Sequence, residues 1–292
     1  MYEMHKNRVI SIMTTFYPNK KHFYNAKKIC DQSDLLIICD NSPVNNKELF
    51  SDLKNVKYFY WGKNLGLSMA FNFVLKDNGL NWCDTDYIIF FDQDSTIPEN
   101  HIKYLVEEYK NLLAQGEAVG CIGPVYLDLS SNREEIPHMK TFVNRKSMRV
   151  SSIITTSMSC QYRILKKIEF WNDDIFLDMA DWDICWRLQA NDLNVYLTYA
   201  SVIRHSVGQG VKKIGPLNIR IGKPFREYYQ TRECLQLLFK NYVPFKYKLR
   251  FISMLTIRPI MHFLFLDNRC ERAKYIVKGI IGYFKGKRGS LS

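Results

Sequence analysis

The chain has 292 residues, of which 47% are hydrophobic and 14% aromatic, and a formal net charge of +12 at pH 7. This composition excludes an intrinsically disordered protein and allows one large domain or one domain with an extension. No positively charged start followed by an apolar core appears, so we expect no secretory signal. The eight cysteines are scattered without a C-x-x-C pair. That pattern favours buried thiols in a reducing cytoplasm over disulfides or a zinc site.

Continuous apolar runs alternate with amphipathic runs along the first part of the chain. The apolar runs predict buried strands and the amphipathic runs predict helices. Strands are expected at 8–18, 35–42, 56–62, 87–92 and 118–127, and helices at 21–33, 64–79 and 102–113. Such alternation predicts βαβ units and an α/β fold with a mostly parallel, mixed central sheet flanked by helices. In sheets of this kind, ligands bind beyond the carboxyl ends of the strands.

The fourth predicted strand ends in two carboxylates, within the stretch DYIIFFDQDSTIP (residues 86–98). Asp92 and Asp94 are separated by one residue, so their side chains can point the same way. Neighbouring carboxylates repel unless a cation lies between them, and hard oxygen ligands suit Mg²⁺ or Mn²⁺. The alternative is a turn in which Asp94 and Ser95 cap backbone donors. The spacing alone leaves both interpretations open.

The positive charge is concentrated near the C-terminus. Residues 204–292 contain 19 Lys and Arg against 4 Asp and Glu, whereas residues 1–203 have a slight excess of acids. The segments 250–266 and 273–288 mix basic with large apolar residues, but neither has the ~18–20 uninterrupted apolar residues of a spanning helix. This pattern is typical of interfacial helices on an anionic membrane surface. The alternative is a helical cap with solvated lysines. No nucleic-acid-binding motif accompanies the charge, so we expect no nucleic-acid partner.

Several short motifs resemble the nucleotide-sugar domain of family 2 glycosyltransferases. The motifs TTFYP, CDNS, NLGLSMAFN and FFDQDS follow the first four predicted strands in that order. Further motifs resemble the bacterial rhamnosyltransferase branch of this family: TTSMSCQYR (155–163), IFLDMADWDICWRL (175–188), VIRHSVGQG (202–210) and FREYYQTRE (225–233). The resemblance implies the GT-A fold. We therefore expect a GT-A glycosyltransferase domain over residues 1–240 and a basic amphipathic helical tail over residues 241–292.

The resemblance also implies where the nucleotide sugar binds. Asp40 and Asn41 would contact the base or ribose, while Gly66 would let the backbone approach the nucleotide. The residues assigned to this role are Thr15, Tyr17, Asp40, Asn41, Asn64, Gly66, Asp92, Arg226, Tyr229 and Arg232. Taken alone, Asp40 also fits an Asx-turn at a strand end, and Gly66 an ordinary strand-to-helix turn. The two arginines taken alone fit solvated helix charges.

By the same resemblance, Asp92, Asp94 and His205 would hold Mg²⁺ or Mn²⁺, although a lone His after a strand is more often structural. The stretch DMADWDICWRL would carry catalysis. Aligned on Arg187, Asp181 matches the catalytic base and Asp183 the acid that follows it. The family has a Glu where this chain has Ala180, which leaves the choice between the two acids open; Asp181 is preferred. Unaided, both acids also fit the charge preference of a helix N-terminus.

The function implied by the resemblance is inverting transfer of a sugar from a nucleoside diphosphate to an acceptor hydroxyl. The donor would be dTDP-L-rhamnose and the acceptor a polyprenyl-diphosphate-linked glycan in O-antigen, capsule or cell-wall polysaccharide synthesis. The enzyme would be cytoplasmic and peripheral on the inner face of the cell membrane. One alternative keeps the fold with galactofuranose, GlcNAc or another hexose as the donor sugar. The other is a non-catalytic membrane-binding module on a GT-A scaffold. The sequence does not indicate the oligomeric state.

Overall fold

The computed structural model describes residues 7–128, 133–137, 139–205, 211–214, 217–220 and 222–291. Its strands are β1 (Val9–Thr15), β2 (Leu35–Asp40), β3 (Val56–Tyr60), β4 (Tyr87–Asp92), β5 (Val119–Asp128), β6 (Arg133–Glu135), β7 (Lys140–Phe142), β8 (Ser147–Val150), β9 (Met158–Gln161), β10 (Asn194–His205), β11 (Val211–Ile214) and β12 (Leu217–Arg220). Its α-helices are α1 (Lys20–Cys30), α2 (Leu67–Leu75), α3 (His101–Ala114), α4 (Tyr162–Lys167), α5 (Ala180–Gln189), α6 (Arg226–Leu238), α7 (Phe245–Phe265) and α8 (Arg269–Phe284). Every strand and helix predicted up to residue 127 is present.

Strands β1 to β10 form one mixed sheet. Nine of them lie in the order β3-β2-β1-β4-β9-β5-β10-β8-β7, and β6 pairs with β5 beside this row. The pairs among β1 to β4 are parallel, as is the pair of β5 with β10. Strand β9 lies antiparallel between β4 and β5 and so joins the two parallel groups. This arrangement confirms the predicted α/β fold with a mixed sheet.

Helices cover both faces of the sheet, which explains why its strands are apolar throughout. Side chains alternate between the faces along each strand. In β4, Ile88 and Phe90 pack in one hydrophobic cluster with α2 and α5, whereas Ile89 and Phe91 pack in a second cluster with α1 and α3. All four of these side chains are fully buried. Only polar residues past the strand ends can therefore reach a ligand.

The C-terminal helices α7 and α8 pack against α6. A Cβ atom at Gly279 would lie 2.7 Å from the Tyr228 carbonyl oxygen, and one at Gly282 would lie 2.8 Å from the Tyr228 hydroxyl. Glycines are therefore needed for α8 to approach α6 this closely. Buried Glu227 on α6 joins all three helices, since it bonds His262 Nδ1 at 2.8 Å and Arg272 Nη1 at 3.1 Å. Packing thus continues across residue 240, the predicted boundary between domain and tail.

Much of the outer surface of α7 and α8 is apolar. More than a third of the residue surface is exposed in Ile252, Ile260, Phe263 and Leu264 on α7, and in Val277, Ile280, Ile281 and Phe284 on α8. No helix in the described ranges is both long and apolar enough to cross a membrane. The two helices thus present an apolar surface interspersed with lysines and arginines.

Candidate active site

The carboxyl ends of the neighbouring strands bring several of the predicted residues to one edge of the sheet. Thr15 at the end of β1 is in register with Asp40 of β2, and Thr14 is in register with Asp92 of β4. Tyr60 of β3 lies at the same edge, because it is in register with Asp40. This follows from topology, since parallel strands end at the same edge. The position of each apolar run in the sequence therefore determines which polar residue lies at this edge of the sheet.

Asp40 is buried and accepts several hydrogen bonds. One oxygen accepts from the Ser42 backbone N–H at 2.9 Å, which is an Asx-turn, and the other accepts from Asn46 Nδ2 at 2.9 Å and from the Tyr58 hydroxyl. Burial acts to raise the pKa of Asp40, but bonds from Ser42, Tyr58 and Asn46 outweigh it and lower the pKa. Asp40 is thus an ionised carboxylate that organises the loop after β2.

The loop before α2 is held by amide side chains. Asn41 donates to the Gly66 carbonyl at 3.0 Å and accepts from the Leu65 N–H at 3.1 Å, while Asn64 accepts from the Gly66 N–H at 2.8 Å. Gly66 has φ +80°, and a Cβ there would lie 2.5 Å from the Phe176 ring and 2.6 Å from the Phe176 carbonyl oxygen. Glycine is required at this position because the segment before α5 passes directly over it.

Thr15 and Tyr17 differ in accessibility. Thr15 is buried, and its hydroxyl has no hydrogen-bond partner among the described atoms. Tyr17 is 56% exposed, has φ +50°, and its backbone N–H donates to the Ser42 hydroxyl at 2.7 Å. Its ring packs edge-to-face against Phe16, with the centroids 4.7 Å apart, and its exposed part lies at the edge of the sheet, where a planar base could contact it. Contact of either residue with a nucleotide stays a prediction.

The two acids of the D-x-D stretch are placed differently. Asp92 is partly buried and accepts from the Thr156 hydroxyl at 2.7 Å, whereas Asp94 is exposed in the following loop. An antiparallel bridge between Thr96 and Arg204 brings the end of β10, and so the backbone of His205, to this loop. The His205 side chain lies outside the described part of the structure. No group of three or more His, Cys, Asp or Glu able to hold a metal is found within the described residues.

Oxygen ligands from Asp92 and Asp94 nevertheless fit a hard divalent ion that takes the rest of its ligands from phosphates and water. Asp92 is the last residue of β4, and Asp94, two residues later, is exposed to incoming ligand. Metal binding by Asp92, Asp94 and His205 stays a prediction.

Asp181 lies in the first turn of α5 and faces a cleft. Its carboxylate accepts a hydrogen bond from the Thr155 hydroxyl. Desolvation by the surrounding protein is the main cause that raises the pKa of Asp181 to about 7, with the negative charges of Asp92 and Asp178 adding to it and the Thr155 bond opposing it. A carboxylate with this pKa can accept a proton near neutral pH.

Asp183 is only two residues away but has a different environment. It is 1% exposed and forms an ion pair with Arg187 at 2.7 Å. The same carboxylate accepts from Asn172 Nδ2 at 3.1 Å and from the Tyr242 hydroxyl at 2.5 Å. It is not among the residues that line the cleft. These contacts assign Asp183 to the support of α5, and they favour Asp181 as the residue that faces substrate.

A buried glutamate fixes the segment that leads into α5. Glu233 on α6 accepts hydrogen bonds from four consecutive backbone N–H groups, those of Phe176, Leu177, Asp178 and Met179, at 2.8–3.0 Å. Four donors of this kind favour the ionised form, but desolvation and the negative charge of Asp178 outweigh them and raise the pKa of Glu233 to about 7. Sequence reasoning gave no role to Glu233, because nothing in FREYYQTRE marks which acid turns inward. Thr155 and Thr156, which bond Asp181 and Asp92, were missed for the same reason.

The other residues predicted on α6 are separated by the structure. Arg226 forms an ion pair with Asp178 and lines the cleft. Tyr229 is 5% exposed and stacks on Phe176, with the ring centroids 4.4 Å apart. Arg232 is fully buried, lies over the Tyr229 ring and donates to the Gly289 carbonyl at 3.0 Å. Arg226 alone of these three can reach a ligand without rearrangement. A role for Tyr229 or Arg232 in binding stays a prediction.

The cleft beside Asp181 has a volume of about 1110 Å³. One wall consists of residues 151–154 together with Trp182. Another part of the lining is one face of α7, with Tyr247, Arg250, Met254, Ile257, Arg258 and Met261. This helix belongs to the segment predicted as a tail, so that segment contributes a wall to the cleft that contains Asp181.

Comparison with known proteins agrees with the fold and with the motifs. Residues 25–168 match the family model described as glycosyl transferase family 2. A structure of GalNAc-T7 with UDP, GalNAc and Mn²⁺ superposes with a TM-score of 0.52 at 10% identity, covering 88% of this chain and 57% of that one. Over residues 25–168 the chain is therefore similar to family 2 glycosyltransferases, and its α/β fold is GT-A-like. The chain is 25% identical to the dTDP-rhamnosyl transferase RfbF of Shigella flexneri, over 97% of this chain and 96% of that protein. A structure of S. aureus TarS 1–349 has a TM-score of 0.49 at 11% identity, covering 94% of this chain and 80% of that one.

Proposed function

We propose that this glycosyltransferase transfers L-rhamnose from dTDP-L-rhamnose, with inversion, to a hydroxyl of a lipid-linked oligosaccharide in surface polysaccharide synthesis. The observation that carries the reaction type is Asp181, a carboxylate that faces a large cleft and has a pKa of about 7. The choice of rhamnose is supported by the 25% identity to a dTDP-rhamnosyl transferase over nearly the whole chain.

The donor would bind across the edge formed by the carboxyl ends of β1, β2 and β4. We place the base and ribose beside Tyr17 and the loop organised by Asp40 and Asn41. Asp92 and Asp94, with His205, would hold Mg²⁺ or Mn²⁺, which supplies charge stabilisation for the departing diphosphate when bound. The Mn²⁺ in the similar GalNAc-T7 structure supports a divalent ion in this fold. Arg226 would add positive charge on the same side.

In the transfer step, Asp181 would take the proton from the acceptor hydroxyl as that oxygen attacks the anomeric carbon. A base is effective when its pKa lies near the working pH, and desolvation places Asp181 there. Thr155 fixes the carboxylate by its hydrogen bond, and Glu233 fixes the backbone just before α5. The protein needs no nucleophile of its own, because inversion occurs in a single displacement.

The acceptor would be a polyprenyl-diphosphate-linked glycan, and the enzyme would lie on the inner face of the cell membrane. The exposed apolar surface of α7 and α8 supports this, because the segment 241–292 is also strongly basic. Apolar side chains can enter the lipid boundary while lysines and arginines meet anionic headgroups. We keep residues 1–240 as the GT-A domain and assign the membrane role to residues 241–292.

The decisive experiment is a panel of sugar nucleotides assayed for turnover with Mn²⁺, with Mg²⁺ and with excess chelator. We expect turnover to be fastest with dTDP-L-rhamnose and to be lost in chelator. Faster turnover of another donor would replace rhamnose but keep the class of reaction. Full activity in chelator would exclude the proposed metal role. No turnover of any donor under any condition would favour a non-catalytic module on this scaffold.

A further inference from the structure

The cleft beside Asp181 changes in chemical character along its length. Tyr247, Arg250, Met254, Ile257 and Met261 follow one face of α7 at alternating spacings of three and four residues. At 1.5 Å per residue, this face is ~21 Å long. Its N-terminal part lies against Trp182, the residue after Asp181, and its later part carries Met254, Ile257 and Met261. Arg258 and His262 also line this later part, and they bond each other. The lining of the cleft therefore includes the Asp181 carboxylate, the Arg250 cation and apolar side chains of α7.

Three arginines line this cleft, and their partners distinguish them. Arg226 is paired with Asp178. Arg258 donates to His262 at 3.2 Å and lies 3.8 Å from the Glu227 carboxylate. Arg250 is exposed and has no hydrogen bond or ion pair to another residue in the described ranges. Its contact is with Trp182, since the guanidinium lies 4.7 Å from the ring centroid.

Stacking leaves the edges of a guanidinium free to donate hydrogen bonds. The Arg250 guanidinium lies over the Trp182 ring, 4.7 Å from its centroid, and its N–H donors have no hydrogen-bond partner among the described residues. A planar fork of such donors matches two oxygens of a phosphate. Arg250 and Asp181 line the same cleft, so one bound molecule can meet both.

We propose that this cleft is the acceptor site and that Arg250 recognises a phosphate group of the acceptor, whose hydrocarbon chain lies along Met254, Ile257 and Met261. This inference rests on the proposed function and deepens it. An acceptor bound in this way presents its sugar hydroxyl to Asp181, its phosphate to Arg250 and its chain to the apolar wall. The helix α7 then selects a phosphate-bearing amphiphile over a free glycan.

The test is direct binding of dodecyl phosphate, below its micelle concentration, to the full chain by calorimetry. Arg250→Gln is expected to weaken binding by about 10- to 100-fold, the effect of losing hydrogen bonds to a charged group. Lys248→Gln removes a charge of the same sign from the same helix at a residue that does not line the cleft, and it should leave binding unchanged. Equal affinity of wild type and Arg250→Gln, or equal losses in both variants, would overturn the assignment.

A second pair of variants tests the apolar wall. Ile257 lines the cleft and Ile260 does not, although both are about 60% exposed on α7. Ile257→Ser should weaken dodecyl phosphate severalfold and leave inorganic phosphate unaffected, while Ile260→Ser changes neither. Wild type should bind inorganic phosphate much more weakly than dodecyl phosphate, and dodecyl maltoside should not compete. Equal effects of the two substitutions would show that the chain binds the outer surface of α7, which contradicts the inference.

Binding of dTDP, measured on the same samples, separates this inference from the proposed function. A wild type that binds dTDP but not dodecyl phosphate would overturn the acceptor site and leave the donor reaction intact. Binding that depends on Arg250, together with no turnover of any sugar nucleotide, would overturn the proposed function and leave a phosphate-binding cleft.

Discussion

Asp40 and Asp181 lie on two sides of the candidate active site, and their surroundings shift their pKa values in opposite directions. Asp40, at the donor edge of the sheet, accepts from Ser42, Asn46 and Tyr58, and its pKa is lowered despite burial. Asp181, in the cleft, is desolvated with one hydroxyl donor and negative charges nearby, and its pKa is raised to about 7. At Asp40 the hydrogen-bond donors outweigh the effect of burial on the pKa, whereas at Asp181 desolvation and the neighbouring negative charges outweigh the donor.

The two sides therefore have different tasks in the proposed reaction. The donor side is a set of polar groups that satisfy one another and hold loops in place. On the cleft side, the side-chain donor to the Asp181 carboxylate is the Thr155 hydroxyl. A desolvated carboxylate costs stability, and sites of this kind are found where chemistry is done. Five experiments, in decreasing order of expected effect, test this division.

The largest effect is expected for the D-x-D stretch. Asp94→Asn should reduce turnover to the background rate and weaken metal-dependent dTDP binding, because it removes an exposed carboxylate from the proposed metal site. The fold should be unaffected, since Asp94 is exposed. Activity assays and dTDP titrations with and without Mn²⁺ measure this. As a control, Asp84→Asn removes an exposed acid before the amino end of β4, away from the carboxyl ends of the strands, and should be active. Wild-type activity in Asp94→Asn would refute the metal role.

Replacement of the proposed base should be the next largest effect. Asp181→Asn should lower kcat by ~10²–10⁴-fold with little change in donor affinity, as is typical when a general base is removed. Steady-state kinetics and dTDP binding measure the two quantities.

Asp183→Asn is the matched control for that substitution. Removing one partner of a buried ion pair costs about 3–5 kcal/mol, so we expect a lower Tm for this variant and a smaller loss of kcat in the fraction that remains folded. A folded Asp183→Asn with the lower kcat of the two would show that the base assignment is wrong.

The third test is pH dependence. Asp181 must be deprotonated to act, so kcat/KM should fall about tenfold per unit as pH drops below about 7. Asp40 should not contribute in this range because its pKa is lowered. Rate profiles between pH 5 and 9 measure this. A profile that stays flat down to pH 5 would contradict the raised pKa.

Stability gives an independent reading of the same group. The folded pKa of Asp181 lies above its ordinary value of 3.8, so the folded state holds an extra proton between 3.8 and about 7. Stability attributable to this group therefore falls as pH rises through that window. Asp181→Asn lacks the effect, so its Tm, measured in chelator, should rise relative to wild type between pH 4 and pH 8.

The fourth test concerns the contact that joins the two sides. Gly66 and Gly116 both have φ +80°, but a Cβ at Gly66 would clash with Phe176, whereas one at Gly116 would meet nothing within 4 Å. Gly116→Ala should cost about 1 kcal/mol through backbone strain alone. Gly66→Ala should cost about 3 kcal/mol or more, because the segment before α5 must also move. Equal losses in denaturant unfolding would show that Phe176 yields without cost.

The smallest effect is expected at the outer surface of α8. Phe284 is 78% exposed, and Phe284→Asp should reduce adsorption to anionic liposomes severalfold without changing Tm. Tyr24→Asp on α1, where Tyr24 is 62% exposed, is the control and should leave adsorption unchanged. Wild type should bind neutral liposomes much less and be released in part by salt. Equal binding to neutral and anionic liposomes would exclude the electrostatic part of the membrane proposal.

The elements that position the donor edge could be predicted from sequence alone. Runs such as Tyr87–Asp92 are apolar because both faces of the sheet are covered, and this pattern is local. Parallel strands end at one edge, so Asp40 and Asp92 had to lie near each other once the strands were assigned. The D-x-D stretch and the acids of α5 were found in the same way, as polar residues directly after or beside apolar runs.

The environments of those residues were decided only by tertiary structure. Asp181 and Asp183 stand two residues apart in one helical turn, yet Thr155 bonds the first and Tyr242, 59 residues from Asp183, bonds the second. Local pattern cannot distinguish them, because the charge of a carboxylate depends on the donors and water that distant segments leave beside it. The same reason hides Arg250, which reaches Trp182 only when α7 packs over α5. The sequence thus determined which side chains could take part in the proposed reaction. Long-range packing determined which of them are bonded within the protein and which can contact a substrate.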